Sequence, residues 1–310
     1  MSTVYIRFAV RGVDALQRAP VLERLIAGAH APSPVAGWRE EAFQVLVPPG
    51  APLPSVAGAA YQGRERIAPD VPGAWVCIAA PVHLVAGMTN VTMDEQGVLR
   101  LSDAEASALA ADFNRVFADA AVKMTVGRAA LLLCVFDREL DVTTHEPEAV
   151  AGRDVFDFQP RGADAVRLRR LMSEMEMWLF DHALNRARAT NSLPPITGLW
   201  LWGGGSANVE LPCPGGWVAG QDPLFAAFGN QPSLPIEPGS GVVVTARRPG
   251  SAGWDETETR WLLPAVAGLR EGRIERLELS GGDRRITLTR ALNWRFWRRP
   301  RAWWESYGIQ

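Results

Sequence analysis

Lysine is almost missing from this 310-residue chain: Lys123 is the only one, and every other basic side chain is arginine. Reactions that need a lysine amine therefore have a single candidate. Histidine is scarce too, and His30, His83, His145 and His182 form no H-x-x-x-H or H-x-E pattern. The three cysteines, Cys77, Cys134 and Cys213, are far apart and form no C-x-x-C pair, so neither a disulfide framework nor a zinc site is read. Cys77 and Cys134 sit in apolar runs, where a free thiol behaves as a small core residue. The usage fits a reducing cytoplasm. There is no basic segment followed by a long apolar stretch at the N-terminus, so no signal peptide is read. The longest apolar run, Ala129–Phe136, is too short to span a bilayer. G-x-S-x-G and S-x-x-K are absent, which removes the common serine-nucleophile signatures. Net charge is only −2, so no global attraction to nucleic acid or anionic lipid is expected.

What is present is apolar content of 47%, ample for a dense core and incompatible with wholesale disorder. Strands are predicted at Val4–Val10, Trp75–Ala80, Gly97–Leu101, Ala129–Phe136, Ile196–Trp202 and Val242–Ala246, with two more at Ile274–Leu279 and Arg285–Thr289. Gly281-Gly282-Asp283 between the last two reads as a hairpin turn. Helices are predicted over 13–29, where Pro20 is a possible division, and over 104–120, 164–190 and 255–269. The second opens on Ser102-Asp103-Ala104-Glu105, a capping box in which serine and glutamate satisfy each other's backbone N–H groups. Leu168, Leu171, Met172, Met175, Trp178 and Leu179 form the buried stripe of the third. Alternating strands and helices argue for α/β, with a mixed or mostly parallel sheet flanked by helices. The expected organisation is one unit over residues 1–292, with a lobe boundary near the Pro/Gly/Ser-rich stretch 229–241, and a C-terminal segment 293–310.

The richest stretch in polar chemistry is HALNRARATNSLPPITGLWLWGGG, His182 to Gly205. On a helix continuing to residue 190, His182, Asn185 and Arg188 climb one side, with Glu174 about two turns upstream. Three donors near a helix end suit a carboxylate or phosphate, the arginine supplying a fork. Gly203, Gly204 and Gly205 follow a short strand and permit close backbone approach. The run is neither of the glycine-rich nucleotide fingerprints. Trp200 and Trp202 share one strand face, as core packing or as a stacking platform beside the glycines. Each residue also has a structural role open to it: a satisfied core histidine, a capping asparagine, a surface-paired arginine. The candidate ligand-binding set is thus Glu174, His182, Asn185, Arg188, Trp202, Gly203, Gly204 and Gly205, with no catalytic residue, metal ligand or cofactor assigned. His145-Glu146-Pro147-Glu148 lies in a predicted loop and reads as a solvated turn.

The tail, Asn293–Glu305, interleaves Arg295, Arg298, Arg299 and Arg301 with Trp294, Phe296, Trp297, Trp303 and Trp304. Such a pattern binds single strands or membranes in some proteins and straps a terminus to its own domain in others. A near-neutral chain favours docking or a protein interface, and nucleic acid is not expected.

H-x-x-N-x-x-R-x-x-x-S-L-P-P-I-T, running into L-W-L-W-G-G-G, resembles a motif of archaeal-type cofactor-independent phosphoglycerate mutases. It looks closer still to RpfE-like regulatory proteins, a bacterial family sometimes labelled phosphoglycerate mutase. His182, Asn185, Arg188, Leu193, Pro194, Pro195, Gly203 and Gly205 match the mutase pattern; Ser192, Thr197 and Trp202 stand where it has glycine, asparagine and arginine. Weaker similarity runs through Ala19–Leu25 and through 75–110, where VCIAAPVHL lacks the mutase arginines. The resemblance implies an alkaline-phosphatase-like α/β fold. It also implies two divalent metals held by Asp and His clusters, with a serine or threonine nucleophile. Here Arg11 stands where the first aspartate of a D-G-x-x-D segment would fall, and no histidine follows His182. The expectation is a regulatory or ligand-binding protein without the bimetal centre, taking a small anionic metabolite or a protein partner. The alternative is a metal-independent enzyme with His182 as general acid/base and Arg188 as anion clamp.

Overall fold

A computed structural model describes residues 2–10, 16–35, 37–63, 74–208, 216–220, 222–228, 239–290 and 299–308. In chain order the elements begin with β1 (Thr3–Phe8), α1 (Pro20–Gly28), β2 (Ser33–Pro34), α2 (Trp38–Leu46), α3 (Val56–Gln62), β3 (Trp75–Ala86) and β4 (Val91–Val98). Next come α4 (Asp103–Val116), β5 (Val122–Val126), β6 (Leu132–Phe136), α5 (Pro147–Val150), α6 (Ala165–Phe180), α7 (Ala183–Thr190) and β7 (Gly198–Ser206). The chain continues with β8 (Gly216–Gly220), β9 (Ser240–Val244), α8 (Trp254–Thr257), α9 (Leu263–Glu271), β10 (Arg276–Gly281), β11 (Arg284–Thr289) and α10 (Trp303–Ser306). A single π turn, Glu258–Leu262, links α8 to α9. These elements form two units, one of residues 1–53, 212–222 and 228–310, the other of 54–211 and 223–227. Both are mixtures of sheet and helix, so the chain is a mixed α/β protein. Among the described residues no helix is long and apolar enough to cross a membrane.

The first unit is built on a six-stranded sheet in the order β2-β11-β10-β1-β9-β8. Its centre is parallel, β1 lying between β10 and β9, while β11 and β2 add antiparallel at one edge. Strand alternation sends Val4, Ile6 and Phe8 into one core with Leu277, Leu279, Ile286 and Leu288. The opposite face carries Tyr5, Arg7, Glu278 and Ser280, polar groups that need partners when buried. Arg7 donates to the Ser280 hydroxyl at 3.0 Å and to the Gly282 carbonyl at 2.8 Å. The Trp38 indole of α2 stacks beneath the Arg7 and Arg39 guanidinium groups, 4.8 and 4.2 Å from the ring centre. The tail closes the other face. Trp303 is fully buried, donates from its indole to the Gln17 carbonyl at 2.9 Å, and meets Phe8 edge to face. Tyr307 donates to the Leu279 carbonyl at 3.0 Å. The described part of the tail is therefore docked on its own unit, while Trp294, Arg295, Phe296, Trp297 and Arg298 lie outside the described residues.

The second unit is a five-stranded antiparallel sheet, β4-β3-β6-β5, with β7 along the other edge of β3. Several expectations change here. The strand predicted to stop before Pro81 continues to Ala86. Proline is tolerated because β6 pairs only with 75–78 and β4 only with 82–86, so the missing N–H falls in the gap between them. The strand predicted at Gly97–Leu101 is instead Val91–Val98. The run from Ala129 does not start a strand, because Ala129 and Ala130 take positive φ in a 3-10 turn and β6 opens at Leu132. Short helices α2 and α3 were not predicted. The hairpin of β10 and β11, the helix after β9 and the capping box at Ser102 are where the sequence puts them.

The three glycines also change character. They are not a loop: β7 runs through them, and Val76 and Trp75 pair with Gly205 and Ser206. The register slips opposite Val76–Ile78, where Gly203 takes φ +67°. Gly204 lies against the Trp75 indole, and a Cβ there would overlap the ring. Trp75 is itself buried and held edge to face against Phe136 at 5.5 Å. Gly204→Ala is expected to destabilise the protein by about 1–3 kcal/mol, the usual cost of overpacking a core. An unchanged denaturant midpoint would show that the indole is free to move aside.

Candidate functional site

The predicted long helix is two helices, because the chain turns extended at His182 (φ −69°, ψ 139°). His182 becomes the N-cap of α7: its Nδ1 accepts from the Leu184 N–H at 3.2 Å, and its Nε2 lies 3.1 Å from Asp112 Oδ2. Those partners fix the tautomer. Nδ1 must be the lone-pair nitrogen to accept from an amide, so the proton sits on Nε2 and is donated to the carboxylate. The Trp178 indole packs on the ring at 4.9 Å and also donates to Asp112 at 3.2 Å. Asp112 is further held by Arg115, whose hydrogen bonds keep its carboxyl below the usual range despite some desolvation. With both ring nitrogens engaged, His182 has no free site from which to act as general base.

Asn185, one turn into α7, uses its whole amide. Its Nδ2 donates to the Leu179 carbonyl at 2.9 Å, which the His182 N–H also reaches, at 3.2 Å, at the end of α6. It donates also to the Ile196 carbonyl at 2.8 Å, while Oδ1 accepts from the Ile196 N–H at 2.8 Å. The side chain thus pairs with Ile196 as a strand would, just before β7 begins. Thr197 continues the join: its N–H donates to the Val82 carbonyl, and its hydroxyl oxygen accepts from the Leu84 N–H.

Arg188 is only 2% exposed. Its Nε donates to the Pro194 carbonyl at 2.9 Å, and one terminal nitrogen donates to Glu105 Oε1 at 2.7 Å and to the Arg100 carbonyl at 3.4 Å. Glu105 is the glutamate of the α4 capping box, so its second oxygen takes the Ser102 N–H at 2.8 Å and hydroxyl at 3.0 Å. Burial alone would raise the Glu105 carboxyl; the Ser102 backbone N–H and the Arg188 guanidinium outweigh it and hold the group below its usual value. One carboxylate therefore starts α4 and neutralises a buried arginine of α7.

The end of α7 is a Schellman turn. The Leu193 N–H reaches the Arg188 carbonyl at 2.9 Å, the Ser192 N–H reaches that of Ala189 at 3.1 Å, and Ser192 sits at φ +55°. This is the position where the mutase pattern has glycine, and a serine there carries backbone strain.

The structure thus brings His182, Asn185 and Arg188 to the two ends and the inner side of α7, bonded to Asp112, Ile196, Pro194 and Glu105. It does not bring the rest of the candidate set to them. Glu174, on α6, pairs with Arg170 at 2.8 Å. Trp202 is buried in the sheet, and the Gly203 N–H goes to the Thr144 hydroxyl at 3.2 Å. An anion taking the Nε or Nη1 donors of Arg188 would have to displace the Pro194 and Glu105 oxygens. Glu105 and Asp112 were missed as partners. The capping box identified Glu105, but nothing in the spacing ties it to a residue 83 positions away.

Two divalent metals do not fit the residues described. Among them, no group of three or more His, Cys, Asp or Glu side chains converges. His83 donates from Nδ1 to the Pro195 carbonyl at 3.1 Å, and the His145 ring packs edge on against Phe158. Burial and the nearby Arg161 charge hold the His145 pKa below its ordinary value. The Arg11–Ala15 segment lies outside the described residues.

No family model matches the chain. It is similar to the 2,3-bisphosphoglycerate-independent phosphoglycerate mutase of Methanothrix thermoacetophila, 27% identical over 150 residues that make up 47% of this chain and 38% of that protein. It is also similar to a probable 2,3-bisphosphoglycerate-independent phosphoglycerate mutase of Geobacter sulfurreducens, 32% identical over 66 residues, 21% of this chain and 16% of that one. The matched region spans well under half the length of either relative. Among solved structures, a cofactor-independent phosphoglycerate mutase of Thermoplasma acidophilum aligns over 93% of this chain and 89% of its own, at 14% identity and a TM-score of 0.34. A Pyrococcus horikoshii protein aligns over 93% and 87%, at 10% identity and a TM-score of 0.40. The sequence matches make the chain a distant homologue of archaeal-type cofactor-independent phosphoglycerate mutases.

Arg188→Met is expected to cost about 3 kcal/mol or more, because it leaves the Pro194 carbonyl and a Glu105 oxygen without their donor. Glu105→Gln should cost less at neutral pH. Since the folded carboxyl titrates below its unfolded value, its stabilisation is full above that value and fades as pH falls through the folded one. The stability gap between wild type and Glu105→Gln should therefore narrow in acid denaturation series below about pH 4; a gap constant with pH would refute the ion-pair role. Ser192→Gly is expected to raise stability by about 1 kcal/mol by relieving the left-handed serine, as read from thermal or urea unfolding.

Proposed function

We propose that this chain is a regulatory or ligand-binding protein of phosphoglycerate-mutase-like ancestry that does not perform metal-dependent phosphoryl transfer. The observation carrying this reading is the state of Arg188. The best-matched arginine of the motif is buried, and its hydrogen bonds run to Glu105, Pro194 and Arg100. His182 and Asn185 are likewise bonded within the fold, so the motif acts as a structural join between α7, α4 and β7. The residues that would hold two metals do not assemble among those described. The commitment of Arg188 Nε and Nη1 to interior oxygens argues against a small anion held by the arginine fork. The kinship to the mutases named above supplies the ancestry. The regulatory part rests on the resemblance of the His182–Gly205 segment to RpfE-like proteins.

The deciding experiment is a thermal-shift series with 2- and 3-phosphoglycerate, with and without Mn²⁺, run beside a mutase turnover assay. No Mn²⁺-dependent stabilisation and no turnover are expected. Turnover that requires Mn²⁺ would overturn the reading. A phosphoglycerate shift lost in Arg188→Lys, with the fold intact, would return the anion-clamp role to Arg188.

A further inference from the structure

Three of the five most exposed large apolar side chains among the described residues lie along a single helix. On α6, Phe180 is 90% exposed, Met177 71% and Val166 68%. With the exposed Arg170 and Ser173 they form the series 166, 170, 173, 177, 180, spaced alternately four and three residues apart. That is the spacing of a helix–helix seam, on the side of α6 opposite the buried Leu168, Leu171, Met175 and Leu179.

Charge says what fits it. The first half of the helix carries Arg167, Arg169 and Arg170; the second carries Glu174 and Glu176, with Asp181 at its end. A seam positive at one end and negative at the other complements its own reversed copy. We propose that α6 is a homodimerisation surface on which two copies pack antiparallel about a two-fold axis through Ser173. In that register Val166 of one copy meets Phe180 of the other, and Arg169 meets Glu176 on the same flank of the seam. The small Ser173 side chains face each other where the helices approach most closely. A contiguous seam of this kind extends about 24 Å, the length of a 16-residue helix. Helix macrodipoles also oppose in this arrangement. This surface does not depend on the regulatory reading, since it needs no ligand and uses none of the motif residues.

The test uses the full chain. Sedimentation velocity over a concentration series should show a reversible dimer, and Phe180→Glu should weaken it at least tenfold while leaving the thermal melt unchanged. Arg169→Glu and Glu176→Arg should each weaken the dimer, and the double variant should restore it, which a nonspecific apolar contact would not do. In a Cys213→Ser background, Ser173→Cys should form a disulfide-linked dimer on mild oxidation, and this readout works even where the reversible dimer is weak. Cys77 and Cys134 are buried and do not compete. A chain that stays monomeric and whose Ser173→Cys variant does not cross-link overturns the proposal, including the case in which α6 docks some other protein. A dimer indifferent to Phe180→Glu overturns it equally.

Discussion

The Glu105 carboxylate is the point at which the second unit is tied together. One oxygen satisfies the Ser102 backbone N–H and hydroxyl and so begins α4; the other takes the Arg188 guanidinium. An arginine with 2% of its surface exposed is tolerable only with its charge compensated and its donors used. The Pro194 carbonyl takes Nε, which fixes the Pro-Pro turn against α7. Once that turn is fixed, Ile196 meets the Asn185 amide and β7 enters the sheet in register with β3. Removing the arginine takes the donor from both the Pro194 carbonyl and Glu105, and removing the carboxylate takes the counter-charge from a buried guanidinium, so the arrangement is held as a unit.

This dependence explains how a motif can look catalytic and serve structure. Histidine, asparagine and arginine at these spacings are suited to an anion when they face a cleft. Here each is turned toward backbone groups at a helix start, a strand entry and a turn: Leu184 N–H for His182, the Ile196 N–H and carbonyl for Asn185, the Pro194 carbonyl for Arg188. The donors are the same in either role, and only the direction in which they point separates them. That direction is set by the break at Asp181–His182, which rotates α7 away from the line of α6.

The sequence disclosed features whose cause is local. The Ser102–Glu105 box, the buried stripe of α6 and the turn between β10 and β11 depend on residues a few positions apart. What it concealed depends on distant neighbours. The apolar spacing of α6 leads on through Leu179 to His182 without interruption, so the helix break is invisible until Asp112 and Ile196 supply competing partners. Pro81 and the three glycines read as strand ends because proline and glycine usually are. Pro81 survives because no strand needs its N–H, and Gly204 is required because Trp75 lies across it. Ser192 was visible as a departure from the mutase glycine, but its meaning as a left-handed helix stop needed the backbone.

The interior and the surface of this unit then differ in what they leave available. Inside, the polar groups of the motif have partners at hydrogen-bonding distance, and a ligand would have to exchange one satisfied bond for another with little net gain. On α6 the balance is reversed: a phenyl ring 90% exposed loses nothing but its contact with water when covered. Selectivity there cannot come from the ring, since any apolar surface would cover it. It has to come from the charges flanking it, and three arginines ahead of two glutamates along one helix distinguish a reversed copy of the same helix from most other surfaces.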